Sequence, residues 1–250
     1  MSGAILTASA VCKSFGAVTA ASDVSVQVPE GAIYSLIGAN GAGKTSFVNM
    51  VTGYITPDTG SIRLRDREIT GLTPREITRL GVHRSFQIPQ LCNELTVLEN
   101  MLVAQAIHGA RSPSFLRPGR SAEARERAMA TLERFHVADE ADRLIPELSG
   151  GVKKLLDIAM AMAGDTQIML LDEPTSGVAA DEKFPIMDLV IGALTEIGTT
   201  VLFVEHDMDV VTRYSERVLA FYAGRIIADD APDEVLADAD VQKYVTGGAQ

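Results

Sequence analysis

Residues 38–45 read Gly-Ala-Asn-Gly-Ala-Gly-Lys-Thr, and no other stretch of this 250-residue chain restricts the fold as much. The spacing is a glycine, four residues, a second glycine, then lysine and threonine. Just before it, Ala32 to Ile37 form a short apolar run, the pattern of a strand buried on both faces. Just after it, in KTSFVNMVTGYI, the residues Phe47, Val48 and Val51 share one helical face and Gly53 stops the run. A buried strand, a glycine loop and a helix in series predict an α/β core.

The residue types of the loop dictate its chemistry. Glycines let backbone N–H groups converge on phosphate oxygens, and the following helix offers its positive end. Lys44 reaches the outer phosphates and Thr45 supplies a hydroxyl to magnesium. Gly38, Ala39, Asn40, Gly41, Ala42, Gly43, Lys44, Thr45 and Ser46 are thus candidates to hold a nucleoside triphosphate such as ATP, with Mg2+ as cofactor. A second strand, IMLLDEP, ends on Asp172, which can hold the magnesium through water, followed by Glu173, which can polarise an attacking water.

The remaining chain alternates between the two periodicities. SVQV and GSIRLR read as strands, and QIMLLDEP and TTVLFVEH return as strands separated by a helical DEKFPIMDLVIGALTEIG, the spacing of a parallel crossover. From about Leu91 to Glu147 the pattern is helical, broken at GARSPSFLRPGRS, with Ala124, Ala128, Leu132 and Phe135 on one face. This predicts a helical lobe inserted into the core. The close, from Arg217 onward, adds strands, a turn and a short terminal helix.

Composition removes several classes. With 33 acidic against 22 basic residues the formal charge is -11, which works against binding a nucleic-acid backbone. The two cysteines, Cys12 and Cys92, lack metal spacing and suit a reducing compartment. The start carries no pattern of a signal peptide, and no apolar run approaches about 18 residues, so the polypeptide is not expected to span a membrane by itself.

Further segments stand in a telling order around the two phosphate motifs: Phe15 in KSFG, Gln87 in SFQIPQL, Leu148 to Gly151 as LSGG, and His206 in VEHD. Across nearly the whole chain they resemble the ATP-binding subunits of ABC transporters. The resemblance implies an α/β P-loop NTPase (RecA-like) core, about 1–90 and 155–228, with an antiparallel β subdomain, a helical lobe at about 91–154 and a C-terminal tail at about 229–250, together one ABC domain over 1–250. It implies ATP hydrolysis with Lys44, Gln87, Glu173 and His206 as catalytic residues, Glu173 being the base. Phe15 would stack on adenine, and Thr45, Gln87 and Asp172 would surround the metal. Ser149, Gly150 and Gly151 would contact the nucleotide held by a second ATP-binding subunit, the two copies closing head to tail around ATP. The expected partners are separate transmembrane permease subunits, docked by a coupling helix beside Gln87, and indirectly a periplasmic or extracellular solute-binding protein. The expected location is the cytoplasmic face of the inner membrane.

The segments NELTVLENMLVA, VEHDMDVV and GRIIADDAPDEVLADADVQKYVTGG resemble the subfamily serving branched-chain amino acid importers. Close relatives of that subfamily serve urea and short amides, and lipopolysaccharide-exporter ATPases are similar in outline. A soluble ABC ATPase is the competing reading. A P-loop phosphotransferase would leave LSGG, Gln87 and His206 without a role.

Two positions depart from the resemblance: Val152 follows the signature where Gln is usual, and Ala179 stands where many relatives carry an aspartate. Lys153 and Lys154 sit near a helix start, either opposed to the dipole until a triphosphate arrives or simply facing solvent. Loss of the Gln side chain removes a polar contact worth about 1 kcal/mol. Val152→Gln is therefore expected to leave the ATPase rate of the assembled transporter little changed or modestly raised. A drop of about tenfold or more would show that valine is required there.

Overall fold

In the computed structural model, residues 3–85, 90–109 and 121–247 are described. The chain opens with a long hairpin, β1 (Ala4–Phe15) and β2 (Val18–Pro29), then enters the buried strand β3 (Ile33–Ile37) and helix α1 (Lys44–Val51). Strands β4 (Thr59–Leu64) and β5 (Arg67–Glu68), helix α2 (Pro74–Arg79) and strand β6 (Val82–Ser85) follow. Helices α3 (Val97–Gly109), α4 (Ala122–Arg134) and α5 (Gly150–Ala161) come next, and then the alternation β7 (Ile168–Asp172), α6 (Lys183–Glu196), β8 (Thr200–Val204), α7 (Met208–Tyr214). The chain ends with β9 (Arg217–Tyr222), β10 (Arg225–Asp230), α8 (Pro232–Ala237) and α9 (Ala239–Tyr244), two short helices where the sequence pattern predicts one.

Two sheets result. An antiparallel sheet has the order β2-β1-β4-β5, and a six-stranded sheet has the order β10-β9-β3-β8-β7-β6. In the larger sheet β9, β3, β8, β7 and β6 run parallel and β10 closes the edge antiparallel. The expected α/β core with an antiparallel β subdomain is present. The strands of the parallel sheet are buried on both faces, which is why they read as unbroken apolar runs. Alternate residues nevertheless serve different cores. Ile33, Met169, Leu171, Val201 and Phe203 point to the cluster packed by α3 to α9, whereas Leu36, Ile168, Leu170, Leu202 and Val204 point to the cluster shared with α1, α2 and the antiparallel sheet.

The local chemistry of the helix starts explains where they begin. Ser149 caps α5 by accepting from the Val152 N–H at 3.3 Å, and Thr73 and Glu76 form a capping box on α2. Helix α1 differs: its N-cap is Gly43, with no side-chain hydrogen bond, so its first N–H groups face the glycine loop. The chain between β6 and β7, neighbours in the sheet, carries α3, α4 and α5, and these helices pack on one another and on the larger core cluster.

One buried histidine ties this helical region to the sheet. His83 on β6 is buried, and its Nδ1 hydrogen-bonds the Ala161 carbonyl at the end of α5. Burial pushes its pKa below the ordinary 6.5, more than the Ala161 and Thr78 carbonyls and Asp165 raise it. The folded state thus favours the neutral ring while the unfolded chain protonates near pH 6.5, so this stabilisation is complete above that pH and is lost as pH falls through the lower folded value. The urea midpoint is expected to drop as pH is lowered from 7.5 towards 5, and His83→Asn, which keeps a donor for Ala161, is expected to show a flatter dependence over the same range.

Candidate active site

The glycine loop has a shape that only glycine supports at two points. Gly38 has φ +151, and a Cβ there would stand 2.5 Å from the Phe221 carbonyl oxygen; Gly43 has φ +112, and a Cβ there would stand 2.5 Å from the Ala20 carbonyl oxygen. The loop is therefore pressed against β2 and the β9–β10 edge. Hydrogen bonds from Gly224 N to Ala42 O (2.9 Å) and from Ser22 N to Gly224 O (2.8 Å) fix it there.

Lys44 is 5% exposed, and its ammonium donates to the carbonyls of Gly38 (2.6 Å) and Ala39 (3.2 Å). Burial lowers its pKa, and the negative charges of Glu173 and Asp172 oppose that shift. A lysine cation is thus held at the loop with two carboxylates within electrostatic reach. Thr45 is exposed and Ser46 half-buried on the first turn of α1, both opening onto the same cleft.

That cleft has a volume of about 300 Å³ and is lined by Phe15, the loop from Asn40 to Ser46, Glu173 and His206, among others. Phe15 stands at its rim, 50% exposed, with the Lys13 ammonium 5.3 Å from its ring centroid. An aromatic ring left half in water at a cleft mouth is available to stack on a flat ligand. Opposite, Glu173 Oε1 and His206 Nε2 lie 3.4 Å apart. Glu173 has φ +46, an uncommon conformation for a residue with a Cβ and one that accumulates at functional sites. Its N–H donates to Val204 O at 3.0 Å and its carbonyl accepts from Ser176 N at 3.0 Å, which holds the strained turn.

Asp172 does not line the cleft. Its Oδ2 pairs with Arg84 Nη2 at 2.5 Å, and Arg84 Nη1 donates to Asn49 Oδ1 on α1 at 2.6 Å. Among the described residues, no cluster of three His, Cys, Asp or Glu could hold a metal ion. Thr45 and Asp172 supply hard oxygen donors, the kind that suits a magnesium ion arriving with phosphates rather than one bound in an all-protein cage.

Gln87 lies outside the described residues. Ser149, Gly150 and Gly151 sit at the start of α5, outside the cleft lining; a Cβ at Gly151 would stand 2.7 Å from Ile186 Cδ1, so this turn is packed against α6. Val152 is half-buried against the larger core cluster, a packing reason for an apolar residue where Gln is usual. Ala179 is exposed. Lys154 meets neither expectation: it is 2% exposed, and the carboxylates of Asp157, Asp172, Glu205 and Glu173 all bear on it from within the fold. Its side chain turns inward because α5 presents that face to the sheet. Arg84, Asn49, Thr175 and Glu205, which bear on the site as well, belong to no motif that stands out in the sequence. The signal available was a charged residue inside or at the end of an apolar strand, in VHRS and in VLFVEH.

A glycine phosphate loop at the carboxyl edge of a parallel sheet, opposed by an acid and a histidine, defines a P-loop nucleotide hydrolase. The family model described as ABC transporter matches residues 21–176. The chain is 36% identical over the full length of both proteins to the high-affinity branched-chain amino acid transport ATP-binding protein LivG of Salmonella typhimurium. It superposes on the crystal structure of the ADP conformation of an ATP-binding cassette of an ABC transporter with a TM-score of 0.87, at 33% identity, covering 96% of this chain and 97% of that one. A dimeric post-hydrolysis ATP-binding cassette bound to ADP and Pi matches with a TM-score of 0.76, at 25% identity, covering 91% of this chain and 98% of that one. The chain belongs to the ABC transporter family: it is a nucleotide-binding ABC ATPase subunit, homologous to branched-chain amino acid transport ATP-binding proteins.

The Arg84–Asp172 pair is nearly buried, so removing Arg84 leaves the Asp172 carboxylate without its hydrogen-bonded partner beneath the cleft. Arg84→Met is expected to lower the unfolding free energy in urea at pH 7 by roughly 3 kcal/mol, and adding Asp172→Asn is expected to recover part of that loss. A single variant within about 1 kcal/mol of the parent would show that the pair is not holding this floor together.

Proposed function

We propose that this subunit drives uptake of branched-chain amino acids or related small amino acids and amides through separate permease subunits, at the cytoplasmic face of the membrane. The single observation that carries the hydrolytic part is the cleft in which Lys44 and the glycine loop face the Glu173–His206 pair, with Phe15 at the rim. The solute class rests on the full-length likeness to a branched-chain amino acid transport protein. Among the described residues no helix is long and apolar enough to cross a membrane, in keeping with spanning segments supplied by other chains.

In this reading adenine stacks on Phe15 and the triphosphate lies along Gly38 to Ser46. Lys44 neutralises the outer phosphates, and the N–H groups at the start of α1 supply further donors. Thr45 and Asp172, with Gln87, would hold Mg2+, which offsets phosphate charge when bound. Glu173 takes the proton of a water whose oxygen attacks the γ-phosphorus; the bond to the β,γ-bridging oxygen breaks, and ADP and phosphate leave. His206, 3.4 Å from Glu173, orients the γ-phosphate and the water.

The position of Ser149, Gly150 and Gly151 outside their own chain's cleft supports a site completed by the signature of a second ATP-binding subunit. The likeness to a dimeric cassette points the same way. The core, about 1–90 and 155–228, would hold the nucleotide. The lobe, about 91–154, would bring the signature to the partner's nucleotide and rim the permease groove beside Gln87, leaving a tail of about 229–250. A solute-binding protein would act on the far side of the membrane.

Glu173→Gln is expected to slow steady-state ATP hydrolysis by about 10² to 10⁴, roughly 3 to 5 kcal/mol of barrier, while ATP still binds and drives dimerisation. Parental hydrolysis by that variant would remove Glu173 from the mechanism. Coexpression with candidate permeases should yield a membrane complex that copurifies; a chain recovered only free of any permease would favour the soluble ABC ATPase.

A further inference from the structure

Glu205 follows β8 and is 4% exposed, and the hydrolytic reading gives it no role. Its Oε1 accepts from both the N–H (3.0 Å) and the hydroxyl (2.7 Å) of Thr175, and its Oε2 accepts from the His206 N–H at 3.1 Å. A buried carboxylate is costly unless its lone pairs are occupied and its charge is balanced. Three donors occupy it here, and its charge bears on two ammonium groups, the buried Lys154 of α5 and Lys183 of α6.

The placement of those donors is what matters. Thr175 lies two residues beyond Glu173, inside the turn closed by the Ser176 N–H to the Glu173 carbonyl. His206 is the next residue along the chain from Glu205. One carboxylate is therefore bonded at the same time to the loop that carries Glu173 and to the loop that carries His206. Nearby, Asp207 pairs with Lys183 at 2.9 Å, so the backbone on the far side of His206 is held as well. The strained φ of Glu173 and the 3.4 Å approach of its side chain to His206 need such over-determination.

We infer that Glu205 is a positioning residue for ATP hydrolysis: it clamps the turn after Glu173 to the His206 backbone and so sets the relative geometry of the two. This rests on the roles given above to Glu173 and His206. It makes Glu205→Gln a non-conservative change. Both carboxylate oxygens accept from N–H groups, so an amide must point its NH2 at the N–H of either Thr175 or His206, and one arm of the clamp opens in either orientation. Thr175→Val is the milder companion, since it removes the hydroxyl donor and leaves the charge and both backbone bonds.

The test uses the full chain, alone and with its permease partners, and measures kcat and KM for ATP, equilibrium binding of ATP, thermal unfolding, and amide hydrogen exchange. The clamp predicts that Glu205→Gln lowers kcat about 10- to 100-fold and Thr175→Val about three- to tenfold, each with KM and ATP affinity within about twofold of the parent. Because the two act through one device, the double variant should be about as slow as Glu205→Gln alone. Exchange at one of the two amides, Thr175 or His206, should accelerate in Glu205→Gln while that of β3 and β7 stays parental.

Parental kcat in a folded Glu205→Gln chain overturns the clamp. So do losses that multiply in the double variant, or a fall in kcat matched by lost ATP affinity and lost thermal stability, which is the mark of a purely structural residue. If Glu205→Gln does not fold, Thr175→Val decides alone: a lowered kcat at unchanged KM supports the clamp and a parental kcat overturns it. Glu173→Gln and His206→Ala run in parallel separate the two levels. Should either hydrolyse ATP at the parental rate, the assignment of the reacting groups and the clamp fall together; should both be inactive while Glu205→Gln is parental, only the clamp falls.

Discussion

Val204 is the register partner of Leu36 on one side and of Asp172 on the other, and the site depends on that alignment. Parallel pairing of β3, β8 and β7 brings three carboxyl ends to one edge of the sheet: Ile37 leading into the glycine loop, Asp172 leading into Glu173, and Val204 leading into His206. The hydrogen bond from Glu173 N to Val204 O at 3.0 Å carries the pairing one residue past the end of β7. A slip of one residue in β8 would exchange its two faces, putting Phe203 where Leu202 packs, so the two cores on either side of the sheet enforce the register. The chemistry at the edge is thus held in place by apolar packing far beneath it.

Below the cleft lies a second layer, made of charges that water barely reaches. Arg84 joins Asp172 to Asn49 of α1, Glu205 joins Thr175 to His206, and Asp157 of α5 accepts from the Gln90 N–H, next to the inward-turned Lys154. Buried ions contribute little net stability when paired, yet each pairing permits few geometries. This layer reaches from the carboxyl ends of the parallel strands to α5, the helix capped by Ser149. Lys154 thus places a buried ammonium of α5 within electrostatic reach of Asp172, Glu173 and Glu205 at the edge of the sheet. Val152, half-buried on the same helix, packs against the larger core cluster.

Much of this was legible beforehand because it is encoded in short segments. The glycine loop, the apolar strand before it, the helix after it and the acidic end of IMLLDEP follow from neighbours a few residues apart, where spacing and residue type carry the physics, whereas Phe15, LSGG and His206 gain meaning only through the resemblance to a known family. The short strand β6 and helix α2 were not apparent, since four residues of VHRS and six of PREITR give too brief a period to separate from a loop. Near a helix start the local rules concern the dipole, and by them Lys154 would face nucleotide or solvent. The direction its side chain takes is set by which face of α5 meets the sheet.

By itself, then, the sequence determined that a phosphate loop, an acid pair and a histidine occur in one α/β chain of the ABC ATPase kind. Tertiary structure alone decided that Arg84 grips Asp172 across 88 residues, that Glu205 reaches back 30 residues to Thr175, and that Lys154 is an interior cation. The reason is physical: a buried charge is tolerated only where distant segments converge to satisfy it, and that convergence exists only once the parallel sheet has formed.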